Sequence, residues 1–174
     1  MTDRSLTRRV RGMGRPRAFD TDRAVETAAA LFATHGYEGT SVDDLVTATG
    51  IHRGSLYKAF GSKRSLHLTA LRNHLDHEIR PTTAALATLT DPEQALSTAI
   101  ASYDNGPAAG LLLLAAAERA PHDPEVAALV AEGIAALEDA LRPSHGDAAP
   151  RLTSTVLGAR LRLRAGLPTA SKEH

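Results

Sequence analysis

Residues 47–60 read TATGIHRGSLYKAF, and the fold turns on how this stretch is parsed. Gly50 interrupts sequence that is otherwise helix-forming. A residue free to take a positive φ ends one helix and lets the next leave at a steep angle. Residues 51–60 then read as a short helix of their own. With Arg53 at 0°, Tyr57, Gly54 and Lys58 fall at about 40°, 100° and 140° on a wheel of 100° per residue, while Leu56, Ala59 and Phe60 occupy roughly 240° to 340°. One side packs. The other offers a guanidinium, a phenol, an ammonium and bare backbone. A helix-turn-helix needs this division, because its second helix enters a major groove where Arg or Lys reaches guanine and a small residue permits close approach.

Working outward, the preceding residues supply the other two helices of such a head. Ser41 and Asp44 stand at capping-box spacing, with Val42, Leu45 and Val46 as the buried side of a short second helix. Further back, Asp20 or Thr21 caps a helix over 21–35, whose Val25, Ala28, Ala29 and Phe32 repeat at i, i+3, i+4 and i+7. Gly36 terminates it. On the other side, residues 61–63 (GSK) break the chain and recap it at Ser62. A longer helix follows to about Arg80, striped by Leu68, Leu71, Leu75 and Ile79, until Pro81 stops or kinks it.

The remainder is helical too. Asp91-Pro92 opens a segment to about Tyr103, and Asn105-Gly106-Pro107 breaks it. Residues 108–120 (AAGLLLLAAAERA) are apolar nearly all round, the pattern of a helix in the middle of a bundle. A turn at 121–125 leads into a helix to about Arg142 with Val126, Val130, Gly133, Ile134, Leu137 and Leu141 on one broad stripe. A loop is expected at 142–150, then a last helix with Leu152, Val156, Ala159 and Leu163 in register. Residues 159–167 also alternate as a strand would, but no second strand exists to pair with them. The fold class is all-α: an N-terminal three-helix domain with a helix-turn-helix, and a C-terminal helical bundle. The expected division is a basic arm at 1–17, a DNA-binding domain at 18–62 and a regulatory and dimerisation domain at 63–174.

Composition agrees. Only 3% of the 174 residues are aromatic and 43% are hydrophobic, so the core is built from Ala, Leu and Val, which favours helices. The chain has no cysteine, which excludes disulfides, thiolate metal sites and thiol nucleophiles. No apolar run approaches the roughly 18 residues of a membrane span, and no apolar stretch follows the Arg-rich start as a secretory signal requires. The cytoplasm is the expected location, without a membrane partner. Net charge is zero overall, yet residues 1–64 hold 11 Lys and Arg against 7 Asp and Glu, and the rest is correspondingly acidic. One end of the protein is therefore expected to meet a polyanion.

The continuous run from Gly14 to Leu71 (GRPRAFDTDRAVETAAALFATHGYEGTSVDDLVTATGIHRGSLYKAFGSKRSLHLTAL) resembles the N-terminal domain of the TetR family of transcriptional regulators. The features appear in the family's order: ALF and HGY closing the first helix, TSVDDL opening the second, the glycine turn, and GSLYKAFGSK. Residues 116–130 (AAERAPHDPEVAALV) resemble, less specifically, a stretch of the ligand domain of some members. The resemblance implies a homodimer that reads a palindromic operator on double-stranded DNA, regulated by a small-molecule effector, and more often a repressor than an activator. It also implies an intersubunit four-helix bundle from the last two helices, near 126–141 and 152–165, where Gly133 would permit close approach. Three departures stand out, one being that Arg160, Arg162 and Arg164 populate the expected dimer helix heavily. The chain is short for the family, and Gly110 replaces a cysteine that related regulators often carry, so thiol-based electrophile sensing is excluded.

The candidate DNA contacts are Arg53, Gly54 and Lys58 at bases, Tyr57 and Lys63 at phosphates, and Arg15 and Arg17 of the arm along the backbone or in the minor groove. Thr40, Ser41, His52 and Ser55 flank these positions and complete the set. Tyr103, Leu114, Glu118 and His122 are the candidate effector residues, being polar or large groups near an apolar bundle centre. His67, His74 and His77 share one helix and would make a metal site only if they converged; the simpler reading is helix histidines, and no metal or cofactor is assigned. No catalytic constellation is apparent, so an enzyme is not expected. The alternative function is a helical ligand- or metal-binding protein that does not bind DNA.

Overall fold

The computed structural model describes residues 20–167, all of them in helices, turns and short connections. Arg15 and Arg17 lie outside the described residues. Helix α1 spans Thr21–His35, with the Asp20 carboxylate accepting from the amides of Asp22 and Arg23. Helix α2 spans Val42–Thr49 and carries a full capping box: Ser41 Oγ accepts from the Asp44 amide while the Asp44 carboxylate accepts from the Ser41 amide. Gly50 follows in the left-handed region, φ 68° and ψ 15°. Helix α3, Arg53–Phe60, starts at His52 without a side-chain cap. Helix α4, Lys63–His74, starts at Ser62, whose hydroxyl accepts from the Ser65 amide.

The long fourth helix does not stop at Pro81. A single π-helical turn, Leu75–Ile79, carries it into α5, Arg80–Leu86, with Pro81 in the first turn of that helix. A proline ring presses on the carbonyl four residues back. The wider turn placed just before it relieves that pressure, so the axis continues instead of ending.

Helix α6, Pro92–Ser102, is capped by Asp91. Helix α7, Leu111–Glu118, leaves Gly110, which sits at φ 87°. Helix α8 spans Pro124–His145 from an Asp123 cap, and α9 spans Ala149–Arg164. The loop expected at 142–150 is absent: α8 runs on through Pro143, and a 3-10 turn at Gly146–Ala148 leads directly into α9. Pro143 falls in the last turn of α8 and Pro150 in the first turn of α9, and at the start of a helix a missing N–H breaks no ladder hydrogen bond. Residues 159–164 are helical, not a strand.

One apolar core runs from Val25, Phe32, Leu45 and Leu56 through Leu66, Leu71 and Leu75 to Leu112, Val126, Leu137 and Val156. The head and the rest of the chain thus share one core. The α8 stripe assigned above to a partner subunit belongs to this core: Val126, Val130, Gly133, Leu137 and Leu141 are buried within the chain. Gly133 does allow a close approach, but to Leu75 and Leu112 of its own chain; an added Cβ would stand 2.8 Å from Leu112 Cδ2.

Candidate nucleic-acid interface

The three-helix head is built so that α3 keeps one side for packing. Leu56 is fully buried and Phe60 packs at the core edge. His52, Arg53, Gly54, Ser55, Tyr57 and Lys58 are all exposed, Tyr57 at 40%. An added Cβ on Gly54 would meet nothing within 4 Å, so its small size leaves open space where a partner's surface can approach. Arg53 is not free: its guanidinium is paired with the exposed Asp43 carboxylate on α2. That hydrogen bond and charge hold the proton on Arg53 more tightly than usual.

Two of the expected DNA contacts have internal work to do. Thr40 is fully buried and its hydroxyl donates to the Gly36 carbonyl at 2.7 Å, so its side chain shapes the α1–α2 turn and faces no groove. Lys63 donates to the carbonyls of Tyr37 at 2.8 Å and Thr40 at 3.0 Å. One ammonium hydrogen is left for a phosphate. Ser41 is exposed at the α2 N-terminus, its hydroxyl engaged by Asp44 at 2.6 Å.

The same turn is where the head is fastened to the bundle. The Glu118 carboxylate, at the end of α7, accepts from the amides of Tyr37 at 2.7 Å and Glu38 at 3.4 Å. The Tyr37 ring meets two cations, Lys63 Nζ at 4.1 Å and the Arg119 guanidinium at 4.6 Å from its centroid, an arrangement each cation stabilises through the ring's quadrupole. Burial raises the Tyr37 phenol's pKa, and Arg119 opposes the rise. Beside it, Arg64 of α4 grips the buried Asp123 with two hydrogen bonds, at 2.7 and 2.8 Å, and reaches Glu125 at 3.1 Å. The Arg64 hydrogen bond holds the Asp123 carboxyl well below the usual carboxylate range. From α9, Arg164 donates to the carbonyls of Ala33 and Ala109, and Arg160 to that of Asp104 at 2.9 Å. These arginines cap helix ends and turns inside the chain.

The four expected effector residues do not form one pocket. Tyr103 is fully buried with its hydroxyl donating to Gly133 O at 2.8 Å. Glu118 is committed to the α1–α2 turn, Leu114 is half-buried on α7, and His122 is exposed. A cleft of about 280 Å³ lies elsewhere, between α1, the π-helical turn and the loop before α7, lined by Glu26, Asn73, His74, His77 and Glu78. His74 is buried there, with Nε2 at 2.9 Å from Asp104 Oδ1. Asp104 itself adopts φ 50° and accepts from the Gly110 amide. His67 faces another way, edge-on to Phe32 at 4.9 Å, and His77 is exposed. The three histidines do not converge, and among the described residues no group of three His, Asp or Glu side chains is placed to hold a metal ion. No described helix is long and apolar enough to cross a membrane.

Sequence reading missed Asp43, Arg64, Asp123 and the role of Glu118. Asp123 carried a legible signal as a cap before Pro124. Arg64 and Glu118 act across long stretches of chain, and Asp43 pairs with a residue of the next helix; none of the three left a local pattern.

Comparison with known proteins gives a consistent answer. The profile of the family described as bacterial regulatory proteins, tetR family, matches residues 24–69, from within α1 into α4. A helix-turn-helix-type transcriptional regulator of Bacillus subtilis, YezE, is 34% identical over 134 residues, which are 74% of this chain and 69% of that one. The Escherichia coli transcriptional repressor ComR is 40% identical over 90 residues, 52% of this chain and 41% of ComR. Among solved structures, a cysteine mutant of the TetR-family regulator CifR, complexed with 26-base-pair double-strand operator DNA, superposes with a TM-score of 0.73 at 28% identity. That match covers 90% of this chain and 92% of CifR.

Proposed function

The chain belongs to the tetR family of bacterial transcriptional regulators, and on that premise we propose that it represses transcription as a homodimer, reading a palindromic operator with α3. The observation that carries this is the division of α3 into a buried side at Leu56 and an exposed side of Arg53, Gly54, Tyr57 and Lys58. Two such heads would enter successive major grooves about one DNA turn apart, or a small multiple of it. Arg53 and Lys58 would read guanine edges, Tyr57 and the α2 N-terminus at Ser41 would hold phosphates, and Gly54 would let the backbone come close. Arg15 and Arg17 would follow the backbone or the minor groove from the arm.

The dimer face proposed is not the stripe that fills the core. It is a second face on the same two helices: Ala128, Ala131 and Ala135 on α8, with Ser154, Leu157, Gly158 and Leu161 at i, i+3, i+4 and i+7 on α9. All but the half-buried Leu157 are exposed, and Leu161 is 59% exposed. Small residues beside leucines suit close packing of helix pairs. A small-molecule effector would act through the cleft beside the π-helical turn, which touches both α1 and α4. Filling it would press α1 and α4 apart and change the spacing of the two heads.

Footprinting on the DNA flanking the protein's own gene, repeated across salt concentrations, tests the reading. Two protected half-sites related by a dyad, with affinity falling steeply with salt, support it. Uniform protection of any sequence would sink it. Sedimentation at micromolar concentration should give a dimer that Leu161→Arg splits; a wild-type monomer would contradict the dimer.

A further inference from the structure

The surface read as the DNA face carries a charge that does not belong on it. Asp43 sits in the first turn of α2, 78% exposed at its side chain, on the side of the head where α3 begins. A carboxylate there repels phosphates and competes for the guanidinium of Arg53, which it already pairs. Helix capping does not require it. Asp44, one residue on, completes the capping box with Ser41 by itself, and Asp43 takes no part.

We propose that Asp43 is a specificity-determining residue that works through Arg53, exchanging general affinity for DNA against discrimination between sequences. The inference rests on the reading of α3 as the recognition helix. The geometry is an ion pair at one edge of a guanidinium: Asp43 Oδ1 takes an Nη2 hydrogen, which leaves Nε and Nη1 to donate elsewhere. A planar fork fixed at one edge is aimed, so the rest of it can meet the O6 and N7 of a single guanine. Without a guanine at that step, Arg53 gains little by leaving Asp43 for a phosphate. A guanidinium without the carboxylate would take any phosphate in reach. Asp43 thus penalises wrong sequences more than the right one, which is how a repulsive element raises selectivity.

The test measures wild-type protein, Asp43→Asn and Asp43→Glu by fluorescence anisotropy on three duplexes over a salt series. The duplexes are the footprinted operator, the operator with the guanine facing Arg53 replaced by adenine, and a scrambled sequence. Asp43→Asn is expected to bind the scrambled duplex about 3- to 10-fold more tightly, with a salt slope steeper by about one. The guanine replacement, expected to weaken wild-type binding by about 10- to 100-fold, should lose most of its effect. Asp43→Glu, which keeps the charge, should retain most of the discrimination.

Equal tightening on all three duplexes would mean that Asp43 contributes only long-range charge, and would overturn the proposal. So would unchanged discrimination, including the case where Asp43→Asn merely lowers the melting temperature, as loss of a helix-dipole charge would. Wild-type protein that shows no preference for the operator defeats the recognition reading itself. A selective wild type with an equally selective Asp43→Asn defeats this inference alone.

Discussion

Gly36 and Gly50 both take positive φ, yet substituting them should have very different consequences, and the difference isolates the fastening between head and bundle. Gly50 lies in the left-handed helical region, and an added Cβ meets nothing within 4 Å. Gly50→Ala therefore carries only the backbone penalty, about 1–2 kcal/mol. Gly36 lies at φ 76° and ψ 173°, a region essentially reserved for glycine, where another residue costs about 1–3 kcal/mol. Its new Cβ would also stand 2.1 Å from Glu118 Oε1 and 2.7 Å from Cδ. The carboxylate would have to swing away, releasing the amides of Tyr37 and Glu38. Losing that charge-assisted hydrogen bonding adds about 1.5–3 kcal/mol. Gly36→Ala is therefore expected to cost about 2.5–6 kcal/mol in all, against about 1–2 for Gly50→Ala. The assay is urea denaturation of a double-mutant cycle. Because Gly36→Ala already evicts the carboxylate, Glu118→Ala should add little on top of it, giving a coupling of about 1.5–3 kcal/mol. The same cycle between Gly50→Ala and Glu118→Ala should be additive. Additivity of Gly36→Ala with Glu118→Ala would refute the contact as the fastening.

Other consequences are as direct. Burial lowers His67 to a pKa of about 4, assisted by the charge of Arg119. Its folded value lies below the unfolded one, near 6.5, so its contribution to stability is complete above that pH and declines as pH falls toward 4, by about 1.4 kcal/mol per unit. His67→Leu should remove this decline in pH-dependent unfolding, whereas the loss from Asp123 and Glu125, whose carboxyls are held low by arginine hydrogen bonds, should begin only at more acid pH and persist. Tyr103→Phe removes one buried hydrogen bond to Gly133 O and should cost about 1 kcal/mol, leaving DNA affinity unchanged in the anisotropy assay. Lys63→Met should speed amide exchange across residues 37–42 in protein free of DNA, because two carbonyls lose their donor; unchanged exchange would return Lys63 to a phosphate role alone.

The head was legible because its determinants are local. Asp20, Ser41 and Ser62 cap the helices that follow them within three residues, and Gly50 takes the φ its position in the sequence required. The i, i+3, i+4 spacing in α1 marks Val25, Ala28, Ala29 and Phe32, and all four are buried. What was not legible depends on allocation between distant elements. Periodicity identified the apolar stripe of α8, but it carries no label for the surface that will cover it, and Leu75 and Leu112 of the same chain do so. The alanines on the opposite side of α8 gave no signal, since so small an apolar side chain suits a buried or an exposed helix face alike. Glu118 looked like a pocket residue because acid near an apolar helix is unusual; its actual partners are backbone amides 81 and 80 residues earlier, which no sequence pattern encodes. Pro81 predicts a stop or a kink, whereas a π-helical turn whose Leu75 and Ile79 are buried carries the helix on.

If the exposed side of α3 reads DNA sequence, Arg53 must contribute more on the operator than on other DNA. The most direct measurement is the affinity of Arg53→Ala for the footprinted operator and for a scrambled duplex of equal length and charge. The expected loss is about 10-fold or more on the operator, against less than about threefold on the scrambled duplex, since a phosphate contact would weaken both alike. Equal losses on both duplexes, or no loss on either, would contradict that reading.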